Sequence, residues 1–89
     1  MNTEARAQVV EQLKPVLSRV SNGRAQIDHL SEDARIIEDI GLASLDLLEL
    51  RFELETAWNA QITDEEAISL KTIRDVVYLV VEKSRSNTS

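Results

Sequence analysis

The sequence predicts an all-α fold: a four-helix bundle with a short third helix and a long loop between helices 1 and 2. Three observations carry that expectation. Apolar residues recur at three- and four-residue spacing in several segments, the periodicity of a helix that buries one face. Strand signals are weak, the one ambiguous run being Val76–Val80, where period two also fits. The chain has 89 residues, enough for one small domain, which we place over residues 1–83, with a disordered tail over 84–89.

The first helix is expected over roughly residues 3–20, where Val9, Leu13, Val16 or Leu17, and Val20 make one stripe. Pro15 lies inside it and removes an amide donor, so a kink or a distorted turn is expected there. Asn22-Gly23 stops the helix. Residues 21–43 form the long connection, with Ile27, Leu30, Ile36, Ile37, Ile40 and Leu42 as its anchors, because a small domain does not leave so many large apolar groups wet. A short helical turn is expected near 36–40. The second helix begins at Ser44 and runs to about Trp58, with Asp46 suiting the positive end of its dipole. The third spans about Asp64 to Ser69, with Thr63 as N-cap and Glu66 completing a capping box. The fourth runs from Thr72 to about Ser84 and buries Ile73, Val76, Val77, Val80 and Val81. Its length and i,i+3,i+4 spacing favour helix over strand.

Composition excludes several chemistries. There is no cysteine, hence no disulfide framework, thiolate nucleophile or Cys-type metal site. No run is long enough to span a bilayer, and the N-terminus lacks the apolar centre of a signal peptide, so the expected location is the cytoplasm. The net charge of -6 is uneven. Residues 31–66 hold eleven acids against Arg35 and Arg51, whereas the segments on either side are slightly basic. Nucleic acid is therefore a poor partner, and a basic protein surface a better one. The bland account is that the acids only keep a small protein in solution.

The second helix carries more apolar surface than one core face needs. Leu47, Leu50, Leu54 and Trp58 form one stripe, and Leu45, Leu48 and Phe52 another, rotated from the first. Asp46, Glu49, Glu53 and Glu55 lie between and beside them. Either neighbouring helices bury both stripes, or one stays exposed as a docking surface with apolar contacts at its centre and charge at its rim.

No catalytic constellation stands out. His29 is the lone histidine, in a loop beside Asp28, and reads as a solvated or loop-packing side chain. The carboxylates fall where a solvated helix face puts them, with no metal-cage spacing, and there is no glycine-rich phosphate loop. Ser44 differs. After Gly41-Leu42-Ala43 it stands at a helix N-terminus, where free amides and the dipole would stabilise an attached phosphate. On physical grounds alone a serine at this place is usually just an N-cap. No neighbouring base activates it, so chemistry at Ser44 would be done to it by another enzyme.

The run Glu38-Asp39-Ile40-Gly41-Leu42-Ala43-Ser44-Leu45-Asp46, continued by Leu48-Glu49-Leu50, resembles the acyl carrier proteins, whose motif is Asp-Ser-Leu behind an acidic Asp-Leu-Gly segment. Phe52-Glu53-Leu54-Glu55 through Trp58 to Ile62 match that family's helix tail and linker. Asp64-Glu65-Glu66-Ala67 resembles the start of its third helix, and Leu70-Lys71-Thr72-Ile73-Arg74-Asp75-Val76-Val77 the approach to its last. The match covers about residues 36–81.

The resemblance implies a bundle of the acyl carrier type and a non-catalytic carrier. Ser44 would bear a covalent 4'-phosphopantetheine arm from coenzyme A, whose thiol holds acyl groups as thioesters. That would account for a carrier without cysteine. Leu45, Asp46, Leu48, Glu49, Phe52 and Glu53 would form the partner-binding face, and Leu47, Leu50, Leu54 and Trp58 the core side. Implied partners are a phosphopantetheinyl transferase and acyltransferases, ketosynthases or acyl-activating enzymes with basic docking patches; the chain would act as a monomer. Two departures stand out. Ala43 replaces the family's usual aspartate, and Arg51 stands where an apolar residue is usual, either narrowing an acyl cavity or sending its charge to water along a packed stem. Thr63 replaces a frequent proline. Together they lean toward a specialised polyketide-like or modified-lipid pathway. The alternatives are a primary fatty-acid synthesis carrier, a peptidyl or aminoacyl carrier, and an unmodified helical interaction domain.

Overall fold

A computed structural model of the chain describes residues 3–25, 27 and 30–86. The helices are α1 (Thr3–Val20), α2 (Ser44–Trp58), α3 (Asp64–Ile68) and α4 (Ile73–Ser86). Among the described residues there is no strand, only an isolated antiparallel bridge between Arg35 and Thr72. The ambiguous Val76–Val80 run is helical.

Each helix forms where its spacing places an apolar stripe. In α1, Val9, Leu13, Val16, Leu17 and Val20 are all buried. The helix runs unbroken through Pro15, which lies on the exposed side. It ends where Asn22 and Gly23 take positive φ and the Gly23 amide donates to the Ser18 carbonyl at 2.8 Å, a left-handed closure that glycine adopts without strain. Ser21, fully buried, is satisfied on both sides: its hydroxyl donates to the Ser18 carbonyl and accepts from the Ala25 amide. In α4, Ile73, Val76, Val77 and Val80 are buried and Val81 is partly buried. Burial of side chains of this size contributes about 1.5–3 kcal/mol each, and α1, α2 and α4 share one core.

The reciprocal cap of α3 is present: the Glu66 amide donates to Thr63 Oγ1 at 3.1 Å and the Thr63 amide to Glu66 Oε1 at 2.9 Å. A second such cap, not anticipated from the sequence, starts α4. There the Asp75 amide donates to Thr72 Oγ1, and Asp75 Oδ2 accepts from the Thr72 and Lys71 amides. Helix α4 extends to Ser86, so residues 84–86 of the expected tail are helical. The cap at Thr72 and the continuous valine stripe give the helix enough turns to run on past its last buried residue. The rest of that tail, 87–89, lies outside the described residues.

The long connection is stitched to α1 and to the start of α4. Glu32 of the loop pairs with Arg6 of α1 and Arg74 of α4, and Asp33 with Arg74. Backbone bonds tie Ile36 to Lys71, Ile73 to Ala34 and Arg74 to Glu32. The expected turn at 36–40 is a single wide turn, Ile36–Ile40, in which the Ile40 amide reaches the Arg35 carbonyl five residues back. Of the six anchors expected, Ile36, Ile40 and Leu42 are buried and Ile27 and Leu30 half-buried. Ile37 is the exception: the wide turn carries it to solvent, 42% exposed.

Candidate functional site

Three buried side chains, Ile36, Ile40 and Leu42, fix the segment that delivers the chain to α2. Between the last two, Gly41 sits at φ 97° and closes the wide turn by donating its amide to the Ile36 carbonyl. That left-handed geometry favours glycine over any residue with a Cβ.

Ala43 then has extended φ and ψ (-83°, 162°), and it is the N-cap of α2. Ser44 is the first helical residue, so the reading of Ser44 as an N-cap is corrected. An N-cap must be extended while its carbonyl already joins the helix, and the anchors ahead of it place that conformation one residue earlier, on a methyl side chain that cannot accept a hydrogen bond. Asp46 supplies half of a reciprocal cap: the Ala43 amide donates to Asp46 Oδ2 at 2.9 Å, and the Asp46 amide to the Ala43 carbonyl at 3.0 Å. The Ala43 amide holds the Asp46 carboxyl below the usual carboxylate range, with Arg24 adding to it and partial burial opposing it.

Released from capping, the Ser44 side chain is exposed and makes no hydrogen bond to any described residue. It stands at the positive end of a 15-residue helix, whose first amides have no carbonyl within the helix to bond. An attached phosphate group fits this position: the hydroxyl is accessible and uncommitted, and the local field favours an anion.

The two stripes of α2 separate cleanly. Leu50 and Leu54 are buried, and Leu47 and Trp58 pack partly against the core. On the other side Leu45, Leu48 and Phe52 are 77%, 65% and 66% exposed, with Glu49 open beside them. Of the residues singled out for partner binding, Leu45, Leu48, Glu49 and Phe52 are exposed, whereas Asp46 and Glu53 are partly covered. Between the C-terminal end of α1 and this stripe lies a groove of about 310 Å³.

Two residues here escaped sequence reasoning. Arg19 Nε donates to Glu53 Oε1 at 2.6 Å, and Arg24 Nη2 to Asp46 Oδ2 at 3.0 Å. The partners are 34 and 22 residues apart, and no local spacing signals such pairs.

Arg51, expected either to narrow a cavity or to send its charge to water along a packed stem, is partly buried and bonds at the approach to α3. Its guanidinium donates to Asp64 Oδ1 at 2.6 Å and to the Ile62 carbonyl, while Glu55 one turn on accepts the Ile62 amide at 2.9 Å. Both polar groups of buried Ile62 are thus held by side chains of α2. His29 and Asp28 lie outside the described residues. Among the described residues no group of three or more His, Asp or Glu could hold a metal, and no helix is long and apolar enough to cross a membrane.

No family model matches the chain. Individual relatives do. An acyl carrier protein from Chloroherpeton thalassium is 31% identical over 70 residues, 79% of this chain and 84% of its own length. One from Phytoplasma australiense is 38% identical over 76 residues, covering 85% of this chain and 96% of the relative. Among solved structures, the acyl carrier protein of Thermotoga maritima superposes with a TM-score of 0.83 over 97% of this chain and 98% of that one, at 19% identity. That likeness is one of fold.

Proposed function

The chain belongs to the acyl carrier protein family, and on that premise we propose that Ser44 is the attachment point of a 4'-phosphopantetheine arm, transferred from coenzyme A by a separate phosphopantetheinyl transferase. The observation that carries this is the state of Ser44 itself: exposed, bonded to no described residue, and at the start of α2 rather than spent on capping it. When bound, the group supplies the thiol that holds an acyl cargo as a thioester, chemistry no side chain of this cysteine-free chain can offer.

The protein's own residues mount and present that group. Ile36, Ile40 and Leu42 fix the backbone ahead of the serine, the first amides of α2 would stabilise an attached phosphate, and Asp46 secures the first turn through Ala43. Leu45, Leu48 and Phe52 give partner enzymes an apolar contact, with Asp46, Glu49 and Glu53 around it. Those partners are the transferase and the acyltransferases, ketosynthases or acyl-activating enzymes that load and use the cargo. The carrier works as a monomer in the cytoplasm.

As to pathway, the relatives are named only as acyl carrier proteins, which favours a general carrier, as in primary fatty-acid synthesis, over the specialised role suggested by Ala43 and Arg51. Incubation with coenzyme A and a broad-specificity phosphopantetheinyl transferase, followed by intact-mass measurement, tests the attachment. Wild type should gain one phosphopantetheine mass and Ser44→Ala none. An unmodified wild type, or an equal adduct on the variant, would refute it.

A further inference from the structure

The turn that follows α1 is built to hold one guanidinium against the start of α2. Ser21, fully buried, accepts the Arg24 amide on its carbonyl at 3.2 Å and the Ala25 amide on its hydroxyl at 2.9 Å. From that fixed turn Arg24 donates through Nη2 to Asp46 Oδ2 at 3.0 Å. The same carboxylate oxygen accepts the Ala43 amide at 2.9 Å. One oxygen thus joins Arg24 to the backbone nitrogen of the residue immediately ahead of Ser44. Asp46 is the acid of the first turn of α2, and Ala43 carries no charge. The acids that precede this turn, Glu38 and Asp39, pair with Arg35. Among the described residues Arg24 is the ion-pair partner of Asp46, and the Ala43 amide and Arg24 together favour the ionised carboxylate.

Resting on the carrier reading, we propose that Arg24 is a positioning residue for the phosphodiester of the arm. By matching the charge of Asp46, it leaves the positive end of α2 to the anion that attachment to Ser44 brings. Without it, two anions two residues apart compete for the same helix end and repel each other within one turn. The guanidinium acts through Asp46 and the Ala43 amide, and its charge is what the site needs. Lysine is therefore a partial substitute, having the charge without the planar fork, and glutamine is none.

The test compares midpoints of thermal unfolding for the apo and arm-bearing forms of each carrier, both forms identified by intact mass. Four carriers are taken: wild type, Arg24→Gln, Arg24→Lys, and Lys83→Gln, which makes the same change in net charge on α4. A merely structural loss would lower both forms of Arg24→Gln equally. The proposal instead expects attachment to lower the midpoint of Arg24→Gln by about 2–4 °C at low salt, against less than about 1 °C in wild type. Arg24→Lys should recover most of that gap, Lys83→Gln should behave as wild type, and salt of about 1 M should close the gap. An equal shift on attachment in wild type and Arg24→Gln, or the same gap in Lys83→Gln or Arg24→Lys, overturns the proposal. Exposed ion pairs contribute little to stability, so Arg24→Gln should stay folded. Should it unfold or take no arm, wild type still decides. A wild-type shift on attachment that salt leaves unchanged supports the matched pair, and one that deepens at low salt overturns it. If wild type gains no arm at all by intact mass, the carrier reading itself fails.

Discussion

Replacing Arg51 by methionine keeps an unbranched stem and deletes the guanidinium that joins α2 to the start of α3. Two interactions go with it, and the structure weights them differently. The bond to Asp64 ends on a carboxylate 87% exposed, and exposed pairs contribute about 0–1 kcal/mol. The bond to the Ile62 carbonyl is part-buried, beside a side chain only 3% exposed, and a hydrogen bond from a charged donor at such a site contributes about 1.5–3 kcal/mol. Arg51→Met should therefore cost about 2–3 kcal/mol, most of it from the stranded carbonyl. Asp64→Ala should cost no more than about 1 kcal/mol. At roughly 4–8 °C per kcal/mol for a domain of this size, thermal unfolding followed by circular dichroism separates the two easily. If Asp64→Ala lowers the midpoint as far as Arg51→Met, or Arg51→Met lowers it by less than a degree or two, the carbonyl bond is not what holds α3 to α2.

Two further outcomes follow from burial and titration. Leu54, fully buried, should lose about 2–5 kcal/mol on substitution by alanine, whereas Leu48→Ala, at an exposed position, should stay within about 0.5 kcal/mol of wild type and instead weaken productive encounter with a carrier-modifying enzyme. Urea unfolding and transferase kinetics on both variants check the pair. The carboxyls of Asp39, Asp46 and Glu66 are held below their ordinary values, chiefly by the backbone amides of Arg35, Ala43 and Thr63. For Asp75 burial pushes the other way, but the Lys71 and Thr72 amides prevail. With folded values below unfolded ones, the unfolded chain binds more protons in acid. Their contribution is then complete above about pH 5 and is lost as pH falls below 4 through the lowered values. Chemical denaturation from pH 7 to pH 3 should show a plateau and then a decline, and Asp39→Asn should flatten the decline. A stability that rises on acidification would contradict the assignment.

Much of this was legible in the sequence because the information was local. The spacing in α1, the span of α2, the Thr63–Glu66 cap and the presence of two apolar stripes on α2 all follow from residues three or four apart, whereas spacing alone left open whether either stripe stays exposed. The same local signature stands at Thr72–Asp75, with aspartate in place of glutamate. What local pattern could not supply was anything fixed at a distance. Serine is a better N-cap than alanine by propensity, yet Leu42 and Gly41 place the extended residue at Ala43. Glu53 and Asp46 look like free surface acids until α1 and the loop bring Arg19 and Arg24 to them. Arg51 looked like an intruder in an apolar row, and only the fold brings the Ile62 carbonyl to its guanidinium.

The stitching of the long connection has a consequence for the order in which the chain assembles. The bonds of Glu32, Ala34 and Ile36 reach to Arg6 in one direction and to Lys71, Ile73 and Arg74 in the other, so the full set is complete only when the loop has met both α1 and the start of α4. Contacts of such long sequence separation are slow to close. The segment that carries the anchors ahead of Ser44 is thus held by contacts distant in sequence, and a chain that has not yet made them has a less firmly mounted serine. A modifying enzyme that reads that mounting would act on finished carriers and pass over unfinished ones.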